Sequence, residues 1–268
     1  MTAPGRPPAR VETATGWYVY GVAPTAEASE QHVHGVRGVA GKGVSLVDAG
    51  AVVAIASKVP LAEFGDEPIA DNLRDPAWLE RRVRAHEEVL EAVLGSVPVV
   101  PFRFATIYRS EEHLRAALGE DGRFEQLLEQ IRGKVELGVK GFLSPMARAA
   151  EETGAGTDVT SGRRYLEEKQ SARRRAEEHD ALKAELAHES HERLAAVAHD
   201  AVANAPQPSE VSGRDAEMFL NGAYLVSRDE EERFRGALQE LERKFAATGA
   251  AYELTGPWPP YNFVESAT

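Results

Sequence analysis

The sequence contains no cysteine, which excludes disulfides, thiolate catalysis and every cysteine-based metal site together. Positive charge is scarce as well: 31 Lys and Arg stand against 43 Asp and Glu, a formal net charge of −12 over 268 residues. A balance of that sign repels phosphate backbones and anionic lipid, so nucleic acid and bulk membrane surface are poor partners. Long apolar runs are missing too. The most hydrophobic stretch, Ala51 to Ala56, lies between Asp48 and Lys58, far short of the ~20 residues that span a bilayer. The opening, Met1 to Arg10, has tandem prolines and no apolar core, which reads as a disordered leader (1–15) rather than a signal peptide or anchor. A cysteine-free, acidic chain of this kind fits a reducing cytosol.

Catalytic signatures are equally absent. There is no Gly-x-Ser-x-Gly elbow and no His-Glu-x-x-His zinc helix. The nearest approach to a phosphate loop, Gly35-Val-Arg-Gly38-Val-Ala-Gly41-Lys42-Gly43, has Val36 and Gly43 where glycine and a magnesium-binding hydroxyl are required, and reads as a mobile loop. His188-Glu-Ser-His191 with Glu185 could offer metal ligands on one helix face, but a di-metal bundle needs the arrangement twice. A solvated polar face is the simpler reading. His32-Val-His34 has no third ligand in view. The arginines at 81–82 and 173–175 alternate with Glu87, Glu88, Glu177 and Glu178 at helical spacing, which explains them as surface ion pairs. Arg103, between Phe102 and Phe104, is either exposed or buried against a carboxylate. No catalytic, cofactor-binding or metal-binding residue is expected.

What is present is a regular pattern of strands and helices at 43% hydrophobic and 28% charged residues, the composition of a globular protein of two domains. Gly16 to Val22 has the aromatic and β-branched density of a strand. Val44–Asp48 and Ala51–Ala56 flank Ala49-Gly50 as a hairpin. Asp75-Pro76 opens a helix with apolar positions Leu79, Val83, His86, Leu90 and Val93, stopped at Gly95. Val97 to Tyr108, with Pro98 and Pro101, is an edge strand or a strand broken at Pro101. Two short helices, 111–118 and 123–131, read as a connector. Val135–Leu143 is a half-buried strand and 144–162 a flexible loop. Arg163 to Ala203 has no glycine or proline and high helix propensity, but its apolar stripe (Tyr165, Leu182, Leu186, Leu194, Val197, Val202) is thin. It is either a continuous helix or a helical hairpin. Phe219–Val226 is a strand, Ser227-Arg-Asp-Glu230 a capping box, and Phe234, Leu238, Leu241 and Phe245 the buried face of the following helix. Gly249 stops that helix and Ala251–Thr255 is the last strand. The expected fold is α+β in two domains: a modified ferredoxin-like domain (16–131) and a ferredoxin-like α+β domain (132–265) with an exaggerated crossover helix.

The chain closes on Gly256-Pro-Trp-Pro-Pro-Tyr-Asn-Phe263, where three prolines hold Trp258, Tyr261 and Phe263 in an extended segment. Such a segment either docks on its own domain or offers aromatic anchors to another protein. Leu254 to Phe263, Asn221-Gly-Ala-Tyr-Leu-Val226, Val99-Val-Pro-Phe-Arg-Phe-Ala-Thr106 and Tyr18-Val-Tyr-Gly-Val22 together resemble the gas vesicle protein GvpL/GvpF family, over nearly the whole chain from Trp17 to Val264. Phe102 stands where a smaller aliphatic residue is expected, Ala105 where glycine is usual, and the 144–162 loop matches no motif. The resemblance implies a non-enzymatic minor vesicle component or assembly factor, in the cytoplasm and at the gas vesicle. It would bind the hydrophobic shell protein GvpA and other accessory proteins and limit aggregation of the shell subunit, with no cofactor. For contact residues the expectation falls on Trp258, Tyr261 and Phe263 and on Leu182 and Leu186 of the long helix. The competing expectation is a ferredoxin-like sheet enclosing a small-molecule pocket, in a regulatory protein or enzyme, with Arg103 near Tyr18 or Tyr20. A third is a purely structural wall component.

Overall fold

A computed structural model describes residues 14–119, 122–144, 160–208 and 216–264. The expected leader and most of the 144–162 loop lie outside the described residues. The chain divides into two compact units: one runs to Gly133 and resumes at Pro259, and the other is Lys134–Trp258. Each contains helices and one antiparallel sheet, an α+β architecture.

In the first unit, β1 (Thr15–Pro24) lies inside a sheet of order β2-β3-β1-β4, with β2 at Val44–Asp48, β3 at Val52–Pro60 and β4 at Val100–Pro101. Counted within the unit this is the 2-3-1-4 order of the ferredoxin-like fold. The β2–β3 hairpin turns at Gly50, whose φ of 94° favours glycine and whose N–H donates to Asp48 Oδ1 at 2.8 Å. The first crossover is reduced to one turn, α1 (Glu30–Val33), and the return crossover carries α2 (Leu61–Phe64), α3 (Asp66–Asn72) and α4 (Pro76–Leu94). Asp75 Oδ1 accepts the Ala77 N–H at 3.0 Å, so the expected cap of α4 forms. Gly95 ends it with an ordinary φ of −77° rather than a left-handed one. The extended segment breaks after Pro101, and β5 (Ile107–Tyr108) rejoins β1.

Both faces of this sheet are covered, which is why Trp17 to Tyr20 and Val52 to Ala56 are apolar at consecutive positions. Trp17 and Val19 face one side and Tyr18 and Tyr20 the other. A register shift between Val19 and Gly21 then moves the alternation by one, so Val22 joins the first face and Ala23 the second. The helices α5 (Glu111–Gly119) and α6 (Arg123–Ile131) are not a connector. Leu114, Leu118, Phe124, Leu128 and Ile131 are buried on the Trp17–Val19 face, where short amphipathic helices gain more from packing than from their own propensity. Phe102 stacks on Phe124 at 5.6 Å, which gives its large ring a partner.

The second unit repeats the plan: β6 (Lys134–Leu143), α7 (Thr160–Ala195), β7 (Asp200–Ala203), β8 (Glu217–Ser227), α8 (Glu231–Phe245) and β9 (Ala250–Trp258), in sheet order β7-β8-β6-β9. The long element is one continuous helix, and it stops before 203. Residues 200–203 form edge strand β7, where pairing with Leu225 to Gly222 of β8 overrides helix propensity. Leu186 and Leu194 are fully buried against Phe234, Leu238, Leu241 and Phe245 of α8 and the inner face of the sheet. The expected capping box at Ser227 does not form. A 3-10 turn over Arg228–Glu230 comes first, with no side-chain cap from Ser227.

Candidate functional site

Two tyrosines, a histidine and a glutamate make a connected polar network in the first unit. Tyr18 on β1 and His86 on α4 are essentially unexposed, with Tyr18 Oη 2.9 Å from His86 Nδ1. On its other side His86 Nε2 lies 3.1 Å from Tyr261 Oη, and Tyr261 donates to Glu87 Oε1 at 3.1 Å. Because the one phenolic proton of Tyr261 goes to Glu87, its oxygen accepts from His86 Nε2–H. His86 Nδ1 then accepts from Tyr18, whose oxygen in turn accepts the Ala105 N–H at 3.0 Å. The result is a directional relay from the 102–106 loop through β1 and α4 to the tail. Burial keeps the imidazole neutral, its pKa pushed down to about 4. Burial likewise raises the Tyr18 phenol and, less opposed by the Tyr261 hydrogen bond, the Glu87 carboxyl.

A second set of bonds locks the glycine-rich loop. Tyr20 Oη pairs with Ser57 Oγ at 2.8 Å and accepts the Val39 N–H at 2.9 Å. A Cβ on Gly38 would lie 2.1 Å from Tyr20 Oη and 2.4 Å from Ser57 Oγ, so this position admits only glycine. The loop expected to be mobile is thus anchored at Gly38 and Val39, which are buried, and closed by Gly38 N to Lys42 O and Gly41 N to Gly38 O, both at 2.8 Å, with Gly41 to Gly43 left exposed. Arg82 donates to Val39 O and to Glu63 at 2.7 Å, while its guanidinium lies over Phe64 and Trp78. Trp78 donates its indole N–H to the same Glu63 oxygen at 2.8 Å. The network is a clamp: it holds a loop, a helix and the returning tail to one sheet face.

The sheet face that a small-molecule pocket would need is filled. Tyr18 and Tyr20 are wholly buried among Phe64, Phe104 and His86, and Arg103 is exposed rather than turned toward them.

Residues 16–265 match the family model "Gas vesicle synthesis protein GvpL/GvpF". The chain belongs to the GvpL/GvpF family. It is 36% identical to gas vesicle protein L of Streptomyces sp. (strain CB03234) over 234 residues, 85% of this chain and 86% of that one. In fold it is similar to the crystal structures of GvpF from Anabaena sp. PCC7120 (TM-score 0.66, 18% identity, 93% and 95% of the two chains) and from Microcystis aeruginosa (0.63, 18%, 94% and 99%).

Against this GvpL/GvpF frame the five expected contact residues separate. Trp258, at the end of edge strand β9, is 39% exposed, its Nε1 donating to Thr255 Oγ1 at 3.2 Å. Tyr261 and Phe263 are half-buried, and Tyr261 is engaged in the first unit with His86 and Glu87. The tail beyond Trp258 therefore docks at home, on the first unit rather than on the domain with which the sequence groups it: Pro259 and Pro260 are buried, and Val264 sits in the core between the sheet and α5–α6. Leu186 is inside the core of the second unit, and Leu182 lines an open groove with Leu143, Arg175, His179 and Thr248. Among the described residues no group of three or more His, Asp or Glu is placed to hold a metal ion. The His188–His191 face is not simply solvated: Ser190 is buried against Tyr252 Oη at 2.6 Å and His191 Nδ1 is 3.2 Å from Tyr224 Oη. The helical spacing puts His86 on the apolar stripe of its helix, and a buried histidine requires partners. The tyrosine that supplies one of them lies 175 positions away.

Proposed function

We propose that the protein is a non-enzymatic accessory factor of gas vesicle formation that binds the hydrophobic shell protein GvpA in the cytoplasm and keeps it from aggregating until it joins the wall. The observation that carries the reading is an open sheet edge bearing an exposed tryptophan in a GvpL/GvpF member. Among the described residues strand β9 pairs with β6 alone, and its last residue is one of the few large apolar side chains left exposed there. An edge strand offers backbone donors and acceptors to an added strand, and an indole beside it gives that strand an apolar anchor. The net charge of −12 keeps such a complex dispersed. No described helix is long and apolar enough to cross a membrane.

The test is capture of purified shell protein by the full-length chain, followed by Trp258→Ala. Loss of a hot-spot indole weakens binding by about tenfold or more. No capture by the wild-type chain refutes the assembly-factor reading, and capture indifferent to Trp258→Ala refutes the β9 edge as its site. Immunodetection on washed intact vesicles separates a transient holder, absent there, from a permanent wall component.

A further inference from the structure

The helix α7 enters the core of its unit only from Leu186 onward, with Leu182 half-buried before it. Over residues 165–178 every side chain but Ser171 is exposed, including Tyr165 at 62% and Leu166 at 58%. Among the described residues this stretch borders another element of its unit only where Arg175 and Glu178 line the groove with Leu143 and Thr248, and a helix so polar and so sparsely packed calls for an account of what stabilises it. Local ion pairs such as Arg173 with Glu177 at 2.9 Å supply part. The order of the charges supplies more. Glu167 and Glu168 precede the midpoint between Gln170 and Ser171 by the same distance at which Arg174 and Arg173 follow it. Tyr165 is mirrored by Ala176, and Lys169 by Ala172.

Positions 165, 169, 172 and 176 follow a 4-3-4 spacing and form one stripe. That stripe maps onto itself when the helix is reversed about its midpoint. We infer that this exposed half of α7 is a self-association surface, on which a second copy of the chain lies antiparallel with its two-fold axis between Gln170 and Ser171. Tyr165 of one copy then covers Ala176 of the other, a large residue against a small one. Lys169 lies over Ala172, packing its aliphatic stem and keeping its ammonium in water. Beside the stripe, Glu168 of one copy meets Arg175 of the other, and symmetry makes the pair twice. In the parallel arrangement Lys169 meets Lys169 and Tyr165 meets Tyr165 within the stripe, whereas the antiparallel one sets each against an alanine, so the stripe selects the antiparallel one. Position 160 of the partner helix falls opposite Ala181, so the paired helical stretch ends short of Leu186. A helix pair of this length buries on the order of 1,000 Å², the size of weak, transient interfaces, so the dimer is sought at micromolar concentration and above.

Sedimentation velocity on the full-length chain, from about 1 to about 100 μM, tests the inference across the range where such a dimer forms. The expected result is a concentration-dependent shift from monomer to dimer. Glu168→Arg alone, or Arg175→Glu alone, places like charges at both symmetric positions and raises the dissociation constant at least about tenfold. Both side chains are exposed on the helix surface, so circular dichroism is unchanged by either. An equimolar mixture of the two single variants restores the dimer, because in the mixed pair positions 168 and 175 again carry opposite charges at both symmetric contacts. A monomer at every concentration overturns the inference. So does a dimer indifferent to either reversal, or a mixture that stays monomeric.

Discussion

Acidification is the sharpest test of the tyrosine-histidine clamp. His86 is neutral in the folded first unit, with a pKa of about 4 against 6.5 for an unperturbed imidazole. Between those values the unfolded chain binds a proton that the folded unit does not, so stability falls as the pH falls from 6.5 toward 4. The interval is worth on the order of 3 kcal/mol when fully developed, and about 2 kcal/mol by pH 5. Glu87 opposes this: burial raises its pKa, so its contribution is present at low pH and lost as the pH rises. The net slope is correspondingly shallower, with its sign set by the histidine. Tyr18 and Tyr20, raised by burial, titrate only in alkali and leave the window untouched. Urea unfolding read by tryptophan fluorescence measures the effect. In a Trp258→Phe background the signal comes from Trp17 and Trp78, both buried in the first unit. The wild-type side chain at 86 should lose one to two kcal/mol, roughly, between pH 7.5 and pH 5. His86→Phe, lower in stability at both, should change little. Equal stability at the two pH values, or an undiminished loss in His86→Phe, refutes the assignment of a buried neutral imidazole.

Three further outcomes follow from the same unit. Ala105 holds a φ of 70°, and its amide donates to Tyr18. Ala105→Gly removes a left-handed penalty of about 1–2 kcal/mol against about 0.5–1 kcal/mol of added chain entropy, so the midpoint of urea unfolding should rise slightly. Gly38→Ala forces a methyl into Tyr20 Oη and Ser57 Oγ; it should destabilise the first unit by about 1–3 kcal/mol or more, read as a lowered unfolding midpoint. Tyr261→Phe deletes a hydrogen bond to a carboxylate and the acceptor for His86. It should lower stability by about 1–3 kcal/mol and raise the Glu87 pKa further, measurable by carboxyl NMR titration.

How much of this is legible in the sequence depends on whether the signal is local. Asp75-Pro76 announces α4 because cap and first-turn proline act within three residues, and the β2–β3 hairpin is carried by Gly50 at its turn. The four-residue strand β7 reads as helix, since Ala196 to Ala203 favours helix and only the edge of β8 makes it a strand. The helices α5 and α6 look like a connector because the stripes of nine-residue helices do not say which sheet face is vacant. The glycine-rich loop looks mobile because glycine signals freedom as readily as close approach, and Tyr20 is remote in sequence from Gly38. For the site, Trp258 is legible as an exposed aromatic. The partner of Tyr261 is not, since it depends on the fold bringing the last strand's end back to α4.

That return has a bearing on how the chain is made. The first unit is interrupted by the second: its sheet and helices are complete by Gly133, yet Tyr261 and Val264, on its two opposite faces, are reached only after the whole of Lys134–Trp258. During synthesis the second unit can fold as each of its residues leaves the ribosome, while the earlier one waits with His86 lacking its outer partner. Residues that emerge after Trp258 close a unit begun before Gly133, and a nascent chain stalled before Pro259 carries its defect in that earlier unit.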